Sequence, residues 1–516
     1  VDDAELVERL WRDELRPGGR RALQVLNLGQ YLERYLWPLF PAGSSACPAA
    51  HTLSIAAMVN EKFREGVPPW DFLAAEEGAA GAAAAERFGA FFRAMLGLRE
   101  AAGAGFAAGW DPREHLTWLE FLANAFQSLE NAVVRPHVLR LVSLPLLHAL
   151  SPGALELELH RSAQLQKFWA RLLKREAKAA KRGGAEHVPV QRRSECTFFP
   201  ALVGDFFAAL ASPEGCPVAS QFCERSLELV ADLLSQLPTR KFVRTYLLDQ
   251  AFFQRLNLCT EGGLPKHQNL MRLAEIAQQY MDVGVDGQTG APLGDEELQA
   301  RNYDALQQAQ RLAFRCWPEL HGFAHASCGA LAQPGALLKH FEALSDEDLL
   351  EFCSQQLRLA SPDVAAAGGR SLTEAVLASA FRAPASRRQR ISALPLYPTE
   401  SMMWDSRRVP ELQRKGPGPR GPGGGEGPVA LPKLNLQFLT QEDYLVRNFN
   451  LFQLEATYEI REDVHDALRR LGPRRLESGA VGFQGWAKMA LPVSGVVVTD
   501  VRRPPIAEAE VLEYFD

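Results

Sequence analysis

The sequence CERSLELVADLLSQLP, residues 223–238, decides the fold class. Its apolar side chains recur every three or four residues, which is the spacing of one face of an α-helix. The positions on this face are Cys223, Leu227, Val230, Leu234 and Leu237. Because Pro238 disfavours helical geometry at the residue before it, the helix is predicted to end near Leu237.

The same pattern recurs through roughly the first 390 residues. Comparable stripes are Leu119, Leu122, Phe126 and Leu129, and then Leu306, Ala309, Leu312 and Cys316 before Pro318. Pro136 and Pro145 divide another apolar stretch into short helices. Many helices joined by proline- and glycine-bearing turns, with few strand signals, favour an all-α, irregular armadillo/HEAT-like α-solenoid. A single large globular helical domain is the alternative that the pattern leaves open.

The apolar period changes near the C-terminal end. Leu434, Leu436 and Phe438 alternate with polar residues, as in a short strand. Thr440 is then predicted to open a helix, with Asp443 in capping-box register. The apolar face of that helix is predicted to be Leu445, Phe449, Phe452 and Ala456.

Composition bounds the class of protein. A chain of 516 residues is too long for one core, and 47% hydrophobic with 23% charged residues is typical of a folded protein. The net charge of -6 argues against a whole surface that binds nucleic acid, although a local basic patch is compatible with it. The 8 cysteines are scattered, which suits a reducing compartment, and no run of apolar residues is long enough for a membrane span. Because the first residue is Val, we expect the chain to be part of a longer protein.

Several blocks have a residue order more specific than amphipathicity requires. They include QYLERYLW at 30–37, MVNEKFREGVPPW at 58–70, LPTRKF at 237–242, YDALQQAQRLAFRCWPEL at 303–320, PLYPTESMMWD at 395–405, DYLVRNFNLFQLEATYEIRED at 443–463 and GFQGWAKMALP at 482–492. Together and in this order, they resemble the Aquarius family of intron-binding, helicase-like spliceosomal proteins. The stretches 74–109, 182–210 and 415–429 resemble it poorly and are interpreted as insertions or drift.

The resemblance implies a domain organisation. Residues 1–410 would form the armadillo-like helical domain, and 411–430, with KGPGPRGPGGGEGP, a disordered Gly/Pro-rich insert. Residues 431–472 would form a connecting strand and helix. Residues 473–516, with the β-branched VSGVVVTDVRRPP, would begin a small β-rich domain that is cut off.

The resemblance also implies function. It implies a nuclear spliceosome component that takes part in pre-mRNA splicing and contacts intron RNA. The implied partners are spliceosomal proteins, including a helical-repeat scaffold and a cyclophilin, and no membrane. A generic α-solenoid adaptor without an RNA role is the alternative.

Catalytic motifs are lacking in the sequence. No GxxxxGK[ST] P-loop, HExxH, GxSxG or CxxC is present, so we predict no catalytic, cofactor or metal residues and no enzyme activity. ATP and Mg²⁺ are expected only in a C-terminal helicase core. Cys316, His321, His325 and Cys328 have ligand chemistry, but a helix junction is the favoured interpretation. The segment 285–290, VDGQTG, has too few oxygen ligands for Ca²⁺ and is predicted to be a tight turn.

One basic helix is the best nucleic-acid signal. Its candidate contact residues step by three and four positions and are Lys167, Arg171, Lys174, Lys178 and Lys181. Such a stripe can neutralise phosphates without reading sequence, or it can dock on an acidic partner. The opposite side is predicted to anchor the helix through Phe168, Trp169, Leu172 and Leu173. Further charge comes from Arg175, Arg182, Arg192 and Arg193.

Overall fold

A computed structural model of the chain describes residues 3–41, 49–73, 79–103, 106, 110–183, 188–212, 216–260, 268–286, 291–331, 335–382, 386–398, 403, 438–470, 473–475, 477 and 481–483. These residues are mostly helical, in agreement with the predicted all-α class.

The α-helices follow one another in chain order through both halves of the described sequence. The first are α1 Asp3–Leu10, α2 Arg16–Leu28, α3 Trp37–Leu39, α4 Ala49–Glu65, α5 Ala79–Ala102, α6 Pro112–Phe126, α7 Arg135–Leu141, α8 Pro152–Arg161, α9 Ala163–Gly183, α10 Ser194–Leu210 and α11 Pro217–Ser235. The next are α12 Leu237–Asp249, α13 Phe252–Thr260, α14 Gln268–Asp282, α15 Asp295–Cys316, α16 His321–His325, α17 Cys328–Leu331, α18 Ala336–Lys339, α19 Asp346–Leu350, α20 Pro362–Ala380, α21 Arg387–Ser392 and α22 Gln441–Arg470.

Tighter and wider helical turns join several of these elements. The 3₁₀ turns are Asp71–Leu73, Leu144–Ala149, Val190–Arg192 and Pro318–Leu320, and the π-helical turns are Trp11–Leu15, Leu32–Leu36 and Glu351–Gln356. Two short strands, β1 Pro473–Arg475 and β2 Val481–Phe483, pair antiparallel with Pro473 opposite Phe483. The predicted strand residues 434–437, the Gly/Pro insert and the β-branched segment 493–505 lie outside the described residues, so these predictions stay predictions.

The chain divides into two compact units. One comprises Val1–Leu394 and Leu431–Asn448, and the other Pro395–Ala430 and Phe449–Asp516. The first unit has two hydrophobic clusters, one drawn from residues between Val7 and Met281 and one from residues between Ala251 and Phe381. Among the described residues, no single helix is long and apolar enough to cross a membrane, although the sharply bent pair Arg135–Ala149 and Pro152–Arg161 meets that test jointly.

Helix α11 is the centre of the first cluster and packs against α6, α10, α12 and α14. The predicted stripe is confirmed at Cys223, Leu227, Val230 and Leu234, each at most 2% exposed. Burial raises the pKa of the Cys223 thiol to about 12, with a further contribution from Glu224, so the thiol stays protonated near neutral pH.

The predicted stripe is wrong at its last residue, because Leu237 belongs to the next helix. Helix α11 stops at Ser235, and Leu237 begins α12 with its side chain 50% exposed. Pro238 lies in the first turn of α12, where its missing N–H has no intrahelical partner to lose. The proline therefore starts a helix as well as ending one.

The other two stripes agree with the structure in part. Leu119, Leu122 and Phe126 are fully buried on α6, whereas Leu129 lies beyond the end of that helix and is half-buried. On α15, Leu306 and Ala309 are buried and Leu312 is half-buried. Cys316 is exposed, because the helix reaches its last residue there and the core position is taken by Ala313.

Buried polar side chains connect α4, α6 and α11. The amide of Asn60 donates to the carbonyl of Thr117 at 3.0 Å and accepts from the amide of Asn124 at 2.9 Å. Arg225 of α11 then donates to the Asn124 side-chain oxygen at 2.5 Å. Since buried polar groups need partners, the presence of asparagine at position 60, in the 58–70 block, is explained by these hydrogen bonds rather than by helix propensity.

A buried arginine joins the end of α11 to the end of α14. Arg240, in the 237–242 block, donates to the carbonyls of Leu234 at 2.8 Å, Tyr280 at 2.5 Å and Val283 at 2.6 Å. Burial, with the neighbouring Arg244, lowers the pKa of Arg240 to about 10, which still leaves it charged at neutral pH. The guanidinium therefore satisfies carbonyls that helix ends leave without partners.

Helix α22 begins as predicted, but the face that was predicted to be its apolar face is largely exposed. Thr440 Oγ1 accepts from the Asp443 N–H at 3.0 Å, while the Asp443 carboxylate accepts from Leu439 N–H at 3.3 Å rather than from Thr440. Leu445 is 57% exposed and Phe452 68% exposed, whereas Phe449 and Ala456 are half-buried.

The buried stripe of the second unit's part of α22 is polar. It consists of Gln453, Thr457 and Arg461, each at most 5% exposed. The Gln453 amide donates to the carbonyl of Pro395, so a backbone acceptor faces this stripe. Residue hydrophobicity alone could not predict that this stripe is polar.

Candidate nucleic-acid and partner interface

Helix α9 carries the predicted basic face, and its first turn is capped locally. Ser162 Oγ accepts from the N–H of Leu165 at 3.2 Å, which satisfies one donor of the helix start. Leu165 and Trp169 are each 7% exposed and hold the helix on the core. The Trp169 ring lies 4.4 Å from the ring of His148, centroid to centroid.

The five predicted contact residues do share one outward face. Lys167, Arg171, Lys174, Lys178 and Lys181 are all exposed. At 3.6 residues per turn they lie opposite the stripe that begins with Leu165 and Trp169. Within the described part of the chain, no carboxylate forms an ion pair with any of them. Their charge therefore faces solvent.

The predicted anchor is narrower than expected. Trp169 is buried and Leu172 half-buried, but Phe168 is 45% exposed and Leu173 is 43% exposed. The prediction for these two residues is wrong because α9 lies at the surface and only one stripe of it faces neighbours. Phe168 and Leu173 flank that stripe on its two sides.

One of the additional arginines does not extend the basic face. Arg193 donates to both carboxylate oxygens of Glu176, at 3.1 Å and 3.0 Å, and to the carbonyl of Val188 at 3.0 Å. Arg175, Arg182 and Arg192 are exposed. The bidentate pair neutralises Glu176, the acidic residue within the basic run, so the charge of the helix surface is positive throughout.

Sequence reasoning missed a groove beside the basic face. It has a volume of about 350 Å³, and the structure lines it with Leu144, Leu165, Phe168, Arg171, Leu172, Arg175 and Phe242. Leu144 comes from the 3₁₀ turn Leu144–Ala149 and Phe242 from α12, so distant segments complete it. The available signal was Phe168, whose position beside Trp169 placed it at the edge of the buried stripe.

The histidines considered for zinc do lie together. The rings of His321 and His325 are 4.5 Å apart between centroids, and Phe314 packs near both at 5.7 Å and 5.5 Å. Across the described ranges, no group of three or more His, Cys, Asp or Glu residues could hold a metal ion. These contacts fit a helix junction whose rings pack at tilted and edge-to-face angles.

The described residues at either end of the segment considered for calcium pair with each other. Val285 pairs with Pro292 in an antiparallel bridge, and Asp286 N–H donates to the carbonyl of Ala291 at 2.8 Å. Residues 287–290 lie outside the described residues. The tight turn between the bridged residues therefore stays a prediction.

Comparison with known proteins confirms the resemblance of the sequence blocks. Residues 2–386 match the family described as intron-binding protein aquarius N-terminal. Over 515 residues, 98% of this chain, the sequence is 34% identical to the RNA helicase aquarius of Mus musculus. The chain spans 33% of that relative's length. On both counts, the chain belongs to the Aquarius family, of which it carries the N-terminal domain.

Proposed function

We propose that this chain is the N-terminal scaffold region of an intron-binding RNA helicase-like protein of the nucleus. In this proposal it docks that protein onto the spliceosome during pre-mRNA splicing, through protein contacts and RNA contacts. The observation that carries the proposal is the match to the Aquarius N-terminal domain over residues 2–386. The relative from Mus musculus is an RNA helicase by name, which supplies the link to RNA.

The fold supports a scaffold role. Consecutive helices α10, α11, α12 and α13 pack each on the next, as in stacked helical repeats. We propose that the first unit is an irregular armadillo/HEAT-like array and that the β1–β2 hairpin belongs to a β-rich domain. Arrays of this kind offer long surfaces for several partners at once, and the proposed partners are a helical-repeat scaffold and a cyclophilin.

The proposed contact surface is the basic face of α9. Lys167, Arg171, Lys174, Lys178 and Lys181 are exposed and can meet phosphates or carboxylates without breaking internal ion pairs. Lysine and arginine side chains bind nucleic acid mainly by neutralising phosphates, which needs no precise base geometry. An intron RNA strand or an acidic protein surface therefore fits this face.

The region is proposed to act without chemistry of its own. The lack of a P-loop in its sequence supports this proposal. ATP-driven RNA remodelling is assigned in this proposal to a helicase core, C-terminal to this region.

The test is affinity purification of the tagged chain from nuclear extract, with mass spectrometry of proteins and sequencing of crosslinked RNA. We expect spliceosomal proteins together with intron RNA. Spliceosomal proteins without RNA would reduce the proposal to a protein scaffold. Recovery of neither, from a folded chain, would favour a generic α-solenoid adaptor instead.

A further inference from the structure

The groove beside α9 has an apolar floor. Leu144, Leu172 and Phe242 are half-buried, so each presents apolar surface to the groove. Phe168 adds an exposed aromatic side chain at its edge. A volume of about 350 Å³ accommodates a few apolar side chains of a partner.

The rim of this groove is cationic. Arg171 and Arg175 are one helical turn apart and both line it. The Arg171 guanidinium lies 5.8 Å from the centroid of the Phe168 ring, which places its charge over that ring. Planar guanidinium groups bind carboxylates through two parallel hydrogen bonds, so this rim favours acidic side chains over neutral ones.

The floor is built on fixed elements. Phe242 lies on α12, whose first turn is held by the three carbonyl contacts of Arg240. Leu144 begins the 3₁₀ turn that packs against α10 and α12. A preformed site loses less conformational entropy on binding than a mobile one.

We propose that this groove binds a short, acidic, amphipathic segment of a partner protein, with leucine or phenylalanine side chains on the floor and carboxylates on Arg171 and Arg175. Charge complementarity selects this occupant. From Lys167 to Arg182 the helix carries seven basic residues and the single acid Glu176, which is already paired with Arg193. RNA also accounts for the charge, and a base can stack on Phe168, but the aliphatic surface of Leu144 and Leu172 matches leucine or phenylalanine side chains better than the polar edges of a base.

The inference deepens the proposed docking role and rests on it for the identity of the partner's complex. Its direct test needs only the full chain and a probe. The probe is a fluorescein-labelled peptide about four helical turns long, with leucine and phenylalanine at i, i+3, i+4 and i+7 and glutamate elsewhere. Fluorescence anisotropy measures its binding, and polyuridine serves as the RNA competitor.

Two matched pairs of variants locate the binding. Phe168→Ala should weaken peptide binding by roughly tenfold, and Leu173→Ala on the other flank should leave it unchanged. The two side chains are almost equally exposed, at 45% and 43%, so general surface effects are matched. The double reversal Arg171→Glu with Arg175→Glu should weaken binding more than the off-groove reversal Lys174→Glu with Lys178→Glu.

Three outcomes would overturn the inference. These are no peptide binding to the folded chain, equal losses in the matched variants, or polyuridine that displaces the peptide with the same dependence on Phe168. The thermal melting of each variant shows that it is folded. Purification from nuclear extract separates the two proposals, because groove-dependent peptide binding without recovered spliceosomal proteins would contradict the docking role alone.

Discussion

Helices α9 and α11 have nearly the same length, 21 and 19 residues, but their surroundings differ completely. Helix α11 packs against other helices on several sides and buries side chains around its circumference, including Ser226 and Asp232. Helix α9 buries Leu165 and Trp169 and exposes most of the rest. Because stability scales with buried apolar surface, α11 stabilises the fold, whereas the exposed face of α9 is available for binding.

The largest expected effect on stability comes from a buried side chain of α11. Phe222→Ala on α11 removes a fully buried ring packed 4.7 Å from His115 and 4.9 Å from Phe106, centroid to centroid. We expect it to lower the free energy of unfolding by about 4 kcal/mol, from lost burial and a cavity. Phe168→Ala on α9 is the matched control and should change it by less than about 0.5 kcal/mol. Urea unfolding measures both, and similar losses would contradict the division of roles.

The second largest expected effect on stability comes from a buried ion pair next to α11. Asp205 on α10 accepts from Arg99 at 3.0 Å and 2.9 Å, and His115 Nε2 lies 3.3 Å from its carboxylate. Burial raises the pKa of Asp205, but the contacts with His115 and Arg99 outweigh it and lower that pKa below its usual value of 3.8. Asp205→Asn leaves Arg99 without its charge partner and should cost about 3 kcal/mol at neutral pH.

The pH dependence of that variant has a definite sign. A lowered folded-state pKa means that the stabilisation is present above the unfolded pKa and is lost as the pH falls through the folded value. The stability gap between the wild type and Asp205→Asn should therefore narrow below about pH 4. Urea unfolding at pH 7 and pH 3 measures it. A gap that widens in acid would assign the effect to another group.

Removing the N-terminal cap of α9, the exposed helix, should have a smaller effect on stability. Ser162→Ala removes the acceptor for the Leu165 N–H and should cost about 1 kcal/mol. The loss should appear as faster amide exchange in the first turn of α9, with α11 unchanged. Exchange that rises equally in both helices would show that they unfold as one unit.

Charge reversal on α9 should have little effect on stability and is the sharpest test of function. Reversing Lys167, Arg171, Lys174 and Lys178 to Glu should change the free energy of unfolding by less than about 1 kcal/mol, because these side chains are exposed. It should nevertheless weaken spliceosome assembly or RNA retention in nuclear extract. A folded variant with unchanged assembly and retention would remove α9 from the proposed interface.

The sequence predicted helices well and their outer boundaries less well. The stripe Cys223, Leu227, Val230 and Leu234 is buried as predicted, since α11 is surrounded by other helices and its apolar period is decisive. Predictions for Phe168, Leu173 and Phe452 were wrong, because burial of an aromatic side chain depends on which face meets a neighbour. No local pattern contains that information.

The sequence predicted the basic face of the candidate site but not the groove beside it. The basic face required only helical periodicity, which Lys167 through Lys181 display directly. The groove required Leu144 and Phe242, whose approach to α9 depends on long-range packing. The stretches 74–109 and 182–210, which were interpreted as insertions or drift, contain Phe88, Phe91 and Phe199, and α5 and α10 place these three side chains in the core.

The pairing of Arg193 with Glu176 has a kinetic consequence. It cancels the negative charge nearest the middle of α9, so a polyanion approaching from any side of the outer face meets an attractive potential. Such fields accelerate diffusional encounter and are screened within about 8 Å at physiological ionic strength. Association rates with anionic partners should therefore fall steeply with added salt, while dissociation rates, which depend on close contacts, should change little.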